Sequence, residues 1–166
     1  MHPIAKYYIE KLDLKKHPEG GYYKEVYRSA EYFVLPDYSY KNKRQRNFST
    51  SIYFLLEGND KSHFHKLKSD EIWHFYDGSD VRIIIIDHIG KLNEVFIGRE
   101  AGIYQYTILK ENWFAAEVIR KDSFALVGCT VSPGFEFDDF IIGKRNDLIK
   151  LFPQHEKIIK SFTIFE

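Results

Sequence analysis

The sequence predicts a single all-β domain, a sandwich or barrel with short helical segments at its two ends. Three observations carry this expectation. Strand-like runs recur about every ten residues, each closed by a turn bearing Gly, Asn or Asp. Those runs are rich in the residue types that suit a pleated, half-buried surface, and the chain holds 14 Phe, 12 Tyr and 2 Trp. The 166 residues are enough for one real core and contain no linker, low-complexity stretch or internal repeat, so the domain is read as 1–166.

Taken in order, "HPIAKYYIEKLDL" places Pro3 at a first helical position, with Ile4, Tyr8 and Leu12 recurring at helical spacing. "HPEGGYYKEVYRS" opens with turn residues and passes into alternation, Tyr23, Glu25 and Tyr27 against Lys24, Val26 and Arg28. The charged stretch from Asp37 to Asn47 reads as a loop. The strand-like runs that follow are "SIYFLLEGND", "EIWHFYDGSD", "VRIIIIDHIG", "KLNEVFIG", "YQYTILKEN", "WFAAEVIRKD", "FALVGCTVSPG" and "FEFDDFIIG". Within the last two, "SPGFEFDDF" reads as a turn and a strand whose acids face water. "LIKLFPQHEKIIKSF" ends the chain in a helical segment broken at Pro153.

Composition narrows the function classes. With 44% hydrophobic and 29% charged residues the chain fits neither a membrane protein nor a disordered one. Net charge is +0, from 24 basic and 24 acidic residues, so neither nucleic acid nor an anionic membrane surface is expected as a partner. Cys129 is the sole cysteine, which allows no internal disulfide and fits a reducing compartment. "MHPIAKYYIEKLDLKK" lacks the apolar run of a secretory signal, and the longest apolar run, "VRIIIID", is of strand length. A soluble cytoplasmic protein is the expectation.

Chemistry concentrates in "SHFHKLKSDEIWHFYDG", Ser62 to Gly78. Residues two apart on a strand share a face, so His63 and His65 are expected to point together. Glu71 and Trp73 share a face of the next strand, with His74 on the other. Two imidazoles and a carboxylate converging inside a barrel make the ligand set of a 2-His-1-carboxylate metal site. Without metal, His65 and Glu71 make an acid/base pair tuned by an aromatic surround.

This stretch resembles the first motif of the cupin superfamily, a Gly, His-x-His, Glu and Gly in that order. Gly58, His63, His65, Glu71 and Gly78 fill it, one residue short before His63 and one residue long before Glu71, while Asp70 fits the shorter spacing. "HPEGGYYKEVYRS", "STSIYFLLEG", "FHKLKSDEIWHFYDG", "NWFAAEV" and "FALVGCTVSPGFEFDDFIIGKRNDLIKLFP" together resemble the small cupins of the DUF985 or cupin_5 family, over nearly the whole chain. The resemblance implies a cupin jelly-roll barrel, a double-stranded β-helix, of largely unassigned activity.

The second cupin motif, Pro-x-Gly-x-x-His, supplies a last metal ligand. Alignment on Trp113 puts Leu109, Glu111 and Phe114 at its Pro, Gly and His, so a metal is not expected unless Glu117 reaches inward. The function expected is small-molecule binding, with three readings. One is a metal-independent epimerase or isomerase of the sugar-nucleotide type, with His65 as base, Glu71 as its orienting partner, and Tyr23, Tyr53, Tyr104 or Tyr106 returning a proton. The others are a non-catalytic ligand-binding cupin and a metal-dependent dioxygenase using His63, His65 and Glu71. Glu19, Tyr23, Arg28, His63, Trp73 and Trp113 are the expected ligand contacts, Arg28 as a fork for phosphate. His2, His17, His88 and His155 carry no functional expectation. A homodimer is expected, since a small cupin with this many aromatics and few exposed-face charges in "VRIIIID" would bury one sheet face or add strands across a two-fold axis.

Overall fold

The N-terminal helix, α1, runs Pro3–Leu12 in the computed structural model, which describes residues 1–35 and 44–164. His2 caps it by accepting a hydrogen bond from the Ile4 N–H, and Asp13 ends it in a left-handed conformation at φ 54°. Its inward face is Ala5, Tyr8, Ile9 and Leu12, while Ile4 is exposed. The helical spacing therefore holds for Tyr8 and Leu12, and Ala5 takes the inward place expected of Ile4.

Thirteen strands follow among the described residues: β1 (Lys15–Lys16), β2 (Tyr22–Arg28), β3 (Tyr32–Leu35), β4 (Arg44–Asn47), β5 (Thr50–Glu57), β6 (Lys61–Leu67) and β7 (Asp70–Gly78), then β8 (Val81–Ile86), β9 (Leu92–Ile97), β10 (Gln105–Ile108), β11 (Trp113–Val118), β12 (Phe124–Ser132) and β13 (Phe140–Ile142). Each of the eight expected runs holds one of them. The expected loop from Asp37 to Asn47 is corrected in part. Arg44–Asn47 pairs with Tyr32–Leu35 as a two-stranded sheet, and the rest of that stretch lies outside the described residues. The chain closes with α2 (Arg145–Leu151), a 3-10 turn at Pro153–His155 and α3 (Glu156–Ser161), broken at Pro153 as expected.

All pairings are antiparallel. One sheet has the order β1-β2-β5-β12-β7-β10 and the other β13-β6-β11-β8-β9. They face each other over a core that takes Phe54, Trp73 and Val127 from the first sheet and Ile83, Ile97 and Phe114 from the second. The sheets do not close edge to edge, yet the arrangement is the expected jelly roll. Outer faces are covered too: α1 packs on Leu55, Phe124 and Leu126, and α2 and α3 pack on Phe64, Ile84, Ile86 and Ala115. β8 is thus flanked by β9 and β11 and buried on both faces. It offers a second copy neither edge nor face, which removes the argument that tied a homodimer to "VRIIIID".

Three register shifts interrupt the two main sheets: one on β7, where Tyr76 is extra opposite β12, and two on β2 and β6 that decide which side chains enter the site. On β2, Glu25 pairs with Ile52 but Tyr27 pairs with Ser51, so Val26 is an extra residue. On β6, His65 pairs with Phe114 and Ser62 with Ala116, so three steps on β6 answer two on β11. Beyond each bulge the alternation changes phase.

Candidate functional site

Between the sheets, at the end of the sandwich where β6 and β12 finish, lies a cavity of about 150 Å³. Cavities of that size hold a single small ring. Tyr23, Glu25 and Arg28 of β2 line it beside their partners Phe54, Ile52 and Thr50 on β5. His65 and Leu67 of β6, Glu71 of β7, and Cys129 and Val131 of β12 complete the walls. His17 and Glu19 enter from the turn before β2, and Phe135, Glu136, Phe137 and Phe140 cover the mouth. Because Val26 is extra, Arg28 faces this space in place of Tyr27, which is exposed.

The centre of the site is Glu19. Gly20 and Gly21, at φ 115° and 70°, turn the chain so that Glu19 lies against β6, and a Cβ at Gly20 would collide with the Lys61 carbonyl. Ser62 Oγ donates to Glu19 Oε1 at 2.7 Å, and Glu19 Oε2 stands 3.2 Å from His65 Nε2 and 3.4 Å from His17 Nδ1. The tautomers follow from the acceptors. His65 Nδ1 is 2.8 Å from the His63 carbonyl, so it carries the proton and leaves Nε2 as an acceptor. His17 Nδ1 accepts from the Glu19 N–H at 3.3 Å.

Protonation states agree with this geometry. Burial drives the His65 pKa down to about 3 and that of His17 to about 4, so both imidazoles are neutral near pH 7. Burial, and next the nearby Glu71 charge, push the Glu19 carboxyl well above the ordinary range. The Glu19–His65 contact is therefore a hydrogen bond from a protonated carboxyl to a neutral ring, and with both rings neutral neither histidine forms an ion pair with Glu19.

Glu71 is the second carboxyl. It is buried, and its Oε2 has no hydrogen-bond partner. Burial raises it to about 7, with the neighbouring Trp73 indole and Cys129 thiol acting in the opposite direction. Neither neighbour reaches hydrogen-bonding geometry, and the Trp73 Nε1–H is itself buried without a partner. Cys129 is pushed well up by burial and by the charges of Glu71 and Glu19, which keeps it a thiol.

Several expected site residues sit elsewhere. The orienting partner of His65 is Glu19, and no hydrogen bond joins His65 to Glu71. His63 does not line the cavity, because the β6 bulge makes Ser62 and His65 the inward pair; its Nδ1 bonds the Glu19 carbonyl at 2.7 Å. Trp73 is a core residue behind the wall. Trp113 is on the outer face of its sheet, in the cluster under α2 and α3, with the Lys66 ammonium 5.4 Å from its ring. Of the four candidate proton-returning tyrosines, Tyr23 lines the cavity and Tyr53, Tyr104 and Tyr106 do not.

Arg28 is present at the mouth but fully engaged. Its donors go to both Glu25 oxygens, Glu136, Asn47 and the Phe135 carbonyl, which occupies all five N–H groups and leaves no fork for phosphate. The acids of "SPGFEFDDF" do not face water as a group. Glu136 holds Arg28, and Asp139 is buried against Arg46. His17 was missed altogether, and its one readable signal was its place two residues before Glu19 at the head of a Gly-Gly turn.

A metal does not fit the donors. Phe114 occupies the last-ligand position of the second motif, its ring centroid 4.0 Å from that of His65. Glu111, at the Gly position, keeps a left-handed φ of 64°, which supports that alignment. Glu117 does not reach inward but pairs with Arg82 and Lys121. Among the described residues no three His, Cys, Asp or Glu side chains are placed to hold a metal ion.

Comparison with known proteins matches residues 6–142 to the Cupin superfamily (DUF985) family. The chain belongs to this family. A hypothetical protein from Leishmania major has a similar structure, at 34% identity and TM-score 0.86, with 97% of this chain and 99% of that one covered. A Shewanella oneidensis protein solved by a structural genomics consortium is 37% identical at TM-score 0.85, with 98% of each chain covered. Oxalate decarboxylase from Bacillus subtilis shares the cupin fold at 13% identity and TM-score 0.58, with 93% of this chain matched to 38% of the enzyme. No curated protein matches the sequence. No described helix of this cupin is long and apolar enough to cross a membrane.

Proposed function

We propose that this cupin binds a small molecule between its sheets and moves a proton on it without a metal, as an isomerase or epimerase acting next to a carbonyl. The observation that carries the reading is Glu71: a buried carboxyl on the cavity wall, with an unpartnered oxygen and a pKa of about 7. A general base works best when its pKa lies near the working pH. His65, held to about 3, is the weaker base, so the roles expected for the two residues exchange.

In the step proposed, a C–H bond beside the substrate carbonyl breaks. Its electron pair enters the enolate and its proton goes to Glu71. The proton of Glu19, shared with His65 Nε2, stabilises the enolate oxygen, and Tyr23 or Glu71 returns a proton to carbon. The cavity volume limits the reacting part to about one ring, so any sugar- or nucleotide-linked remainder lies outside the mouth.

The test is solvent-deuterium incorporation into small ketoses and hydroxyketones. Incorporation that is lost in Glu71→Gln and retained in Trp113→Phe supports the proposal. Incorporation equal in wild type and Glu71→Gln sinks it and leaves the non-catalytic reading, which the orphaned Oε2 also suits as a hydrogen-bond acceptor for a bound ligand. A cytoplasmic homodimer remains part of the proposal, resting now on Val26, Tyr27, Tyr32 and Val34, exposed on β2 and β3. A monomer mass by light scattering at micromolar concentration removes that part.

A further inference from the structure

The cavity is unusual in its balance of charge. Four of its lining side chains carry carboxyls: Glu19 and Glu71 inside, Glu25 and Glu136 at the mouth. Arg28 is the one Lys or Arg among the described lining residues, and its donors are used up by Glu25, Glu136, Asn47 and Phe135. An anion entering this space meets no free cationic donor among the described residues. Meanwhile Glu71, a lining residue only 7% exposed, has a buried Oε2 without any donor of its own. A buried acceptor left in that state is costly unless a ligand supplies the missing group.

The walls favour a particular donor. Phe135, Phe137 and Phe140 stand edge to face over the mouth, with ring centroids 5.1 to 6.4 Å apart, and Tyr23 and Phe54 continue the surface inward. Aromatic faces attract cations and offer nothing comparable to anions. We propose that the cavity takes a small organic cation, a primary or methylated ammonium on a compact apolar body, with its nitrogen against the Glu71 carboxyl and its body against the phenylalanine rings. This rests on the small-molecule reading above and adds the charge class of the ligand. An ammonium at this carboxyl also holds Glu71 ionised, the form that acts as a base.

A charge series on one ring size separates the outcomes. Benzylammonium, benzyl alcohol and benzoate are titrated into the full-length protein by calorimetry, with thermal shift in parallel. The expected result is that benzylammonium binds and raises the melting temperature, with the alcohol and benzoate at least about tenfold weaker. Glu71→Gln should abolish that preference while circular dichroism shows an unchanged fold. Benzoate binding as tightly as the amine overturns the cation assignment and leaves a small-molecule site whose protonated carboxyls act as donors. Failure of all three probes overturns the cation assignment and removes support from the cavity as a binding site. The wild-type series does not depend on any variant folding.

Discussion

The two ends of the space between the sheets have opposite characters. At one end Val81, Ile83, Ile97, Val118 and Ala125 form a dry apolar layer, and β8 pairs with β9 and β11 without a register shift. At the other end His17, Glu19, His65 and Glu71 meet around a cavity, and both β2 and β6 carry an extra residue. Strict alternation along β8 fills the core at the first end; at the second, the bulges on β2 and β6 re-aim side chains, so that Arg28 and His65 line the cavity and Ser62 reaches Glu19. The first end holds the fold, and the second uses that stability to keep two carboxyls in an apolar surround.

The largest expected effect tests the division itself. Ile83→Ala, in the dry layer, should cost about 2–5 kcal/mol in urea unfolding, by lost burial and the cavity left behind. Phe137→Ala, on a half-exposed ring at the mouth, should cost under about 1 kcal/mol. Equal costs at the two positions would mean that the ends do not differ in the way described.

The second effect is pH-dependent stability. Glu71 is raised from 4.5 in the unfolded chain to about 7 in the fold. Its contribution is therefore fully present below about pH 4.5 and is lost as pH rises through about 7. The loss is on the order of 3 kcal/mol. His65, lowered from 6.5 to about 3, acts in the opposite sense: its contribution is present above pH 6.5 and is lost as pH falls toward 3. Glu71→Gln should then melt several degrees above wild type at pH 8 and converge with it near pH 4.5. A gap that widens toward acid would assign Glu71 the wrong protonation state.

The contrast between the ends also explains what could be read from the sequence. Apolar runs and turn residues marked the strands, because burial on both faces leaves a continuous signature such as "VRIIIID". His65 and Glu71 were legible as inward residues for the same reason. The partner of His65 was not, since Glu19 reaches it through a Gly-Gly turn and a bulge on β6, and neither changes the composition of the strands involved. Trp113 misled because an aromatic looks alike on either face of a sheet. It lies one step from Phe114, and that step is the difference between the helix-covered face and the lumen.

A third expectation sharpens the account of the polar end. If Glu19 is protonated in the fold, Glu19→Gln preserves both of its roles, an oxygen that accepts from Ser62 and a donor for His65 Nε2. Its cost at pH 7 should stay within about 1 kcal/mol, whereas Glu19→Ala leaves His65 and Ser62 unpaired and should cost more, at about 1–3 kcal/mol for buried groups without partners. Chemical denaturation of the two variants side by side decides this. A Gln variant as damaged as the Ala variant would show that Glu19 is held as a carboxylate.

The smallest expected effect concerns Trp113, which packs with Phe152 and Ile149 beneath α2 rather than in the cavity. Trp113→Phe keeps an aromatic in that cluster and leaves every cavity wall in place. Phe140→Ala, by contrast, strips a ring that stands 5.3 Å from His65 and 6.2 Å from Phe135. Titration of benzylammonium should therefore give the same affinity for wild type and Trp113→Phe, within about twofold, because sites without shared partners behave independently. Phe140→Ala should weaken the same ligand by at least about tenfold, through lost apolar contact and lost attraction between ring and cation. Weakened binding in Trp113→Phe would mean that the outer face of this sheet communicates with the lumen, and the separation between helix-covered face and cavity would have to be given up.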